Sequence, residues 1–124
     1  MLKRKDVNSA QRLRDEYLAF ARKQIEYFGQ LSQKIFGREI PQVGLLHANR
    51  LNADTIDDIL QIYKDLGYKF VTLAEAQSDP AYKTPDTYFN EFGWMWGYRW
   101  AKEKHIKVDG RLEPEVPEWI ESYK

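Results

Sequence analysis

Two histidines and no cysteine set the limits of the chemistry open to this chain. His47 closes the apolar run Gln42-Val43-Gly44-Leu45-Leu46-His47, and His105 follows Lys102 and Lys104. With no cysteine there is no thiol nucleophile, no thiolate ligand and no disulfide. A free imidazole titrates at about 6.5, so a histidine can give or take a proton near neutral pH. It can equally hold a backbone carbonyl and do no chemistry. His105 falls at an expected helix end, where a cation suits the dipole. Thr55-Ile56-Asp57-Asp58 brings two carboxylates together. Ile56 and Ile59 belong to a helical apolar stripe there, which turns Asp57 and Asp58 toward solvent. The remaining feature is aromatic: seven of the thirteen residues 88–100 are Tyr, Phe or Trp. Trp94, Trp96, Tyr98 and Trp100 could stack on sugar rings, or they could glue the C-terminal segment to the rest. Arg99, among them, could pair with a carboxylate or stack on a tryptophan.

Composition narrows the classes. The chain has 124 residues, about one domain by length. Its 19 Lys plus Arg balance 19 Asp plus Glu, so no net field attracts a polyanion, and nucleic acid is not an expected partner. Hydrophobic residues make up 43%, enough for a core. No apolar run approaches the roughly 20 residues of a membrane span, so no membrane partner is expected. The start, Met1 to Gln11, is basic without an apolar stretch and does not read as a secretory signal. Location is left open.

The elements that must position these residues follow from periodicity. Leu13, Tyr17, Ala21, Ile25, Phe28, Leu31 and Ile35 recur at helical spacing, which predicts a helix over 9–36. Asn8 or Ser9 would cap it and Gly37 would end it. Pro41 forbids continuation. Residues 42–47 read as a buried parallel strand, apolar and not alternating. A second helix is expected over 53–66, capped by Asn52 and stopped by Gly67. A second strand is expected over 68–73. Thr72 and Glu75 form a capping box for a short helical turn. The tail from Leu112 is Pro-punctuated, with Trp119 and Ile120 to pin it. This order is α/β wiring. Two parallel strands do not make an independent sheet, so further strands must come from another copy or from the rest of a larger domain.

Residues Gly37 to Gln42, Leu45-Leu46-His47-Ala48-Asn49, Leu51 to Asp54 and Gly67 to Ala76 together resemble the last block of the polysaccharide deacetylases, the NodB-like domain of carbohydrate esterase family four. The likeness continues through Asp79 to Tyr82, Pro85-Asp86, Gly93 to Trp100 and Glu113 to Ile120. Its most specific piece is the L-x-H of Leu45 to His47 in that context. The resemblance implies the C-terminal half of a distorted (β/α) barrel. It implies metal-dependent hydrolysis of N-acetyl groups on an amino-sugar polysaccharide. By it, His47 is the general acid and Leu45 lines the acetyl-methyl pocket. Asn49 and Trp94 are candidate substrate contacts. The family's divalent metal, often zinc, is held by an Asp and two His. The T-F-D-D and H-x-x-x-H motifs that supply them are not in this sequence, so no metal ligand or cofactor is assigned here. The whole chain, 1–124, then reads as a partial deacetylase domain. Residues 1–8 are expected to be disordered and 78–124 to form a wrapping tail. The isolated chain is expected to be inactive for want of the metal site. The alternative is a non-catalytic remnant that persists as a self-associating interaction domain.

Overall fold

The computed structural model describes residues 4–121, with side chains described from 7 to 120. The chain forms α1 Arg4–Phe36, α2 Arg50–Asp65, α3 Leu73–Gln77, α4 Trp96–Glu103 and α5 Glu118–Glu121. Single 3-10 turns lie at Pro80–Lys83 and Gly110–Leu112. The described residues divide into two compact units. Residues 4–25, 45–69 and 114–121 make the first, and residues 26–44 and 70–113 the second. Among the described residues no helix is long and apolar enough to cross a membrane.

No strand occurs among the described residues, and this overturns the α/β expectation. Of the two parallel strands expected at 42–47 and 68–73, residues 42–47 and 68–72 are irregular connectors and Leu73 opens α3, so no half barrel is present among the described residues. Each of these segments passes from one unit to the other. Their apolar side chains are not buried: Val43, Leu45, Leu46, Phe70, Val71 and Leu73 are all exposed. The physical reason lies in what a strand requires. An apolar run can only be a buried strand if a neighbouring strand takes up its N–H and C=O groups. Periodicity alone cannot supply that neighbour for a short run.

The helices follow the sequence more closely. α1 begins at Arg4 rather than at the expected cap, so Asn8 and Ser9 lie inside it. Nothing in Arg-Lys-Asp-Val breaks a helix, and these polar residues extend it at little cost. The disorder expected over 1–8 falls partly outside the described residues, and Arg4 to Asn8 are helical. Gly37 ends α1 at φ +68, as a residue without Cβ can, and its N–H bonds to the Gln33 carbonyl at 2.8 Å.

α2 starts one turn earlier than expected, capped by Asn49 and not by Asn52. It ends in a Schellman motif. Gly67, at φ +87, donates to Lys64 O at 2.9 Å, and Tyr68 N–H donates to Tyr63 O at 3.0 Å. The accompanying apolar contact is an edge-to-face pair of Tyr63 and Tyr68, with ring centroids 5.5 Å apart. In α3, Thr72 caps as its T-x-x-E pattern implies, accepting from Glu75 N–H at 3.2 Å.

The first unit buries little apolar surface. Ile59 and Thr55 are its most enclosed side chains, and polar bonds tie α2 to α1. Arg14 pairs with Asp58 and donates to Asp54 O at 3.1 Å. Gln24 donates to Pro114 O at 3.0 Å, and Arg12 lies over the Trp119 ring at 4.4 Å. That places the tail on α1.

The second unit carries the larger core. Leu31, Ile35, Ile40, Ala81, Trp100 and Ala101 are buried together, with Phe28, Phe36, Tyr82 and Tyr98 packed around them. Trp100 meets Phe36 and Tyr82 edge-on, at 5.3 and 5.2 Å. Polar groups close the rim. Tyr82 donates to Pro41 O at 2.7 Å, Gln42 donates to Ser32 Oγ at 2.9 Å, and Arg38 grips Asp79 with two bonds of 2.9 and 2.6 Å.

α4 comes so close to α1 that a Cβ at Gly97 would lie 2.8 Å from Leu31 Cδ2. Alanine at this helical position would recover up to about 1 kcal/mol of propensity against that overlap. Valine adds bulk without the propensity gain. Gly97→Val is expected to destabilise the second unit by about 1–3 kcal/mol, read as a lower melting temperature. An unchanged melt would show that Leu31 moves aside freely.

Candidate functional site

The site nearest to chemistry is the turn that leads into α2. Asn49 has the extended backbone of an N-cap, φ −136 and ψ 170, and its Oδ1 accepts from Asn52 N–H at 2.9 Å. Its carbonyl accepts the first helical bond, from Ala53 N–H at 3.0 Å. The His47 carbonyl accepts twice, from Asn49 N–H at 2.9 Å and from Asn52 Nδ2 at 2.7 Å. Asn52 Oδ1 in turn accepts the Tyr17 hydroxyl from α1. Asn52 is only 9% exposed, so both ends of its amide are satisfied where water is largely excluded. Leu45, Leu46, His47 and Asn49 are all exposed, Leu45 at 87%. An open groove of about 530 Å³ runs along this turn, lined by Leu46, His47, Asn49, Asn52, Ala53 and Ile56.

Sequence reasoning pointed to His47, Leu45 and Asn49, and the structure brings them into one turn. Asn49 spends its side chain on the helix cap, while its exposed face borders the groove. Asn52 was expected as the cap. Its place as the third helical residue, with its amide shared between Tyr17 and His47, depends on the side-by-side placement of α1 and α2. No spacing along the chain encodes that.

The other titratable candidates stand apart. Asp57 is exposed, and Asp58 is taken by Arg14. His105 belongs to the second unit, where it ends α4 at φ 55, a left-handed turn that histidine tolerates better than branched residues. Its N–H donates to Lys102 O at 3.1 Å. A divalent metal of the kind the resemblance implies needs three or four ligands converging on one point. Among the described residues no group of three His, Cys, Asp or Glu side chains offers that, so the residues here do not fit such an ion.

The aromatic segment divides by depth. Trp100 is in the core and Tyr98 is half-buried, its hydroxyl donating to Glu113 Oε2 at 2.6 Å and 3.0 Å from that of Tyr27. Burial, reinforced by Glu113 and Tyr27, pushes the Tyr98 phenol well above its ordinary value. Trp94 and Trp96 stay half-exposed, at 49% and 51%. Trp94 stacks on Tyr88 with centroids 4.6 Å apart. Arg99 does both things its neighbours permit. It bonds Asp86 Oδ2 at 2.7 Å and Trp94 O at 3.0 Å, and it lies over the Tyr88 and Trp96 rings at 5.0 and 5.1 Å. One guanidinium thereby straps residues 86–94 to α4.

A comparison of the chain with protein-family models, curated proteins and solved structures gives no match. The functional reading therefore stands on the residues themselves.

The Arg99 guanidinium holds the Asp86 carboxyl below the usual carboxylate range, helped by the Tyr88 N–H and Lys102. A depressed folded value means stabilisation that is complete above the unfolded carboxylate value of about 3.9 and is lost as pH falls through the folded value. Asp86→Asn is expected to lower the melting temperature at pH 7 and to differ progressively less from the parent below pH 4. Paired thermal melts at pH 7 and pH 3 check this. A constant difference at both would remove the ion pair as its cause.

Proposed function

We propose that this chain contributes the proton donor of a deacetylase acting on N-acetyl groups of an amino-sugar polymer, with His47 as general acid. The observation that carries the reading is the turn itself. Leu45 and His47 stand exposed together beside an open groove, on backbone fixed by a buried asparagine. The resemblance of Leu45-Leu46-His47 and its flanks to polysaccharide deacetylases supports the same assignment. As the amide C–N bond breaks, its electron pair passes to the sugar nitrogen. His47 delivers a proton to that nitrogen, so the sugar leaves as a neutral amine. Leu45 offers an apolar surface to the acetyl methyl group. Asn49 borders the groove, whereas Trp94 belongs to the second unit, stacks on Tyr88 and is not assigned to this site.

The attack on the acetyl carbonyl is not provided by the described residues, which hold no metal-ligand cluster. In this reading that half of the chemistry comes from residues outside this chain. The test is a titration with a chitin oligosaccharide, followed by the amide resonances of the full chain. Leu45, His47 and Asn49 are expected to shift, and His47→Ala to reduce the shifts at its neighbours. Acetate release by the chain alone is expected to be absent, with or without zinc. Oligosaccharide that leaves this turn unperturbed would overturn the assignment.

A second reading is favoured by one specific observation, the exposed apolar connectors. In it the chain is a non-catalytic domain that associates with a second copy through Val43 to Leu46 or Phe70 to Leu73. Zero net charge leaves little repulsion between copies. Sedimentation is expected to report a dimer or larger species that dissociates when Leu45 and Phe70 are both changed to Lys. A parent chain that is monomeric at high concentration would end this reading.

A further inference from the structure

We propose that Asn52 is the positioning residue of His47, and that Tyr17 on α1 anchors the other end of the Asn52 amide. The proposal rests on the reading of His47 as a proton donor and deepens it. A donor must be presented at a fixed distance and angle, and small misplacements cost orders of magnitude in rate. Among the described residues no hydrogen bond holds the His47 imidazole. Its direction is set from the backbone. The His47 carbonyl receives both the Asn49 N–H and the Asn52 Nδ2, at 2.9 and 2.7 Å. Two donors on one carbonyl fix the peptide plane that follows His47. They therefore fix the Cα–Cβ direction from which the imidazole projects over the groove.

Residue 52 joins α1 to the His47 turn, and its identity follows from those two contacts. Asn49 already caps α2, and asparagine is a poor residue for a helix interior. A glutamate there would complete a capping arrangement, and an apolar residue would fill the partly buried space. Only an amide offers an acceptor to Tyr17 and a donor to the His47 carbonyl at once. The His47 carbonyl can only accept, so it takes Nδ2 and sets the orientation of the amide. The Tyr17 hydroxyl then donates to the Oδ1 that this leaves facing α1 and anchors the far end of the amide. Burial pushes the Tyr17 phenol above its ordinary value. The chain of contacts runs Tyr17, Asn52, His47, and all three lie within the first unit.

The test uses the full chain in solution and needs no substrate. Asn52→Asp keeps an acceptor for Tyr17 but removes the donor to His47. Tyr17→Phe removes one hydroxyl and leaves the ring in place. In the parent, the HN–Hα couplings of His47 and Ala48 are expected to report one backbone conformation. In both variants they are expected to move toward the conformational average, and exchange of the Asn49 amide to quicken by about fivefold, the loss of one neutral hydrogen bond. Helical content of α2 should stay as in the parent. A merely structural role would lower the melting temperature and leave the couplings alone. Unchanged couplings in both variants, or averaged couplings already in the parent, overturn the proposal. If Asn52→Asp fails to fold, Tyr17→Phe decides alone. The oligosaccharide titration reads ligand contact, whereas these couplings read the free chain. A failed titration with responsive couplings would refute the donor role and leave the positioning intact.

Discussion

Burial along one stripe of α1 is the constraint on which both units depend. The residues from Leu13 to Ile35 recur every three or four positions, and each unit draws on a different stretch of them. The second unit takes Leu31 and Ile35 into an apolar core closed by Trp100. The first takes Arg14 and Tyr17 and builds its contacts to α2 from polar groups. Shared by two units, the helix cannot be altered in one stretch without touching a core or a network that needs its register.

The two units solve the packing problem differently. In the second, aromatic edges supply area and geometry, and Gly97 permits the close approach of α4 to Leu31. In the first, where little apolar surface is enclosed, satisfied polar groups specify the arrangement. A buried amide with one unmet partner costs more than its bond contributes when made. Asn52 therefore constrains the α2 start more sharply than an apolar residue of the same size would. The His47 turn meets that network through its carbonyl, which accepts the Asn52 Nδ2.

The connectors carry the remaining tension in the molecule. Val43, Leu45, Leu46, Phe70 and Val71 are residues a folded chain usually hides, and here they face solvent. Of these, Leu46 lines the groove of the His47 turn. In the deacetylase reading Leu45 meets a methyl group, and in the association reading it meets another protein surface.

Much of the helical architecture was legible in the sequence. The α1 stripe, the glycine stops at Gly37 and Gly67 and the Thr72 cap are local features, decided by residues within a few positions of one another. The residues of the His47 turn were legible as types in a pattern. What only the tertiary structure decided was everything that needs a partner from elsewhere in the chain. Whether 42–47 and 68–73 are strands depends on a neighbouring strand to pair with, and among the described residues no strand occurs, so 42–47 and 68–72 are connectors. Asn49 and not Asn52 caps α2, and the Asn52 amide bonds instead to Tyr17, far away in sequence, and to the His47 carbonyl. Arg99 could pair or stack by sequence, and it does both because the loop from Asp86 to Trp94 folds back over α4. Local propensity and capping are short-range and can be read directly. Strand pairing, the anchoring of the Asn52 amide and the fate of an apolar run are settled by long-range contacts that only the folded chain supplies.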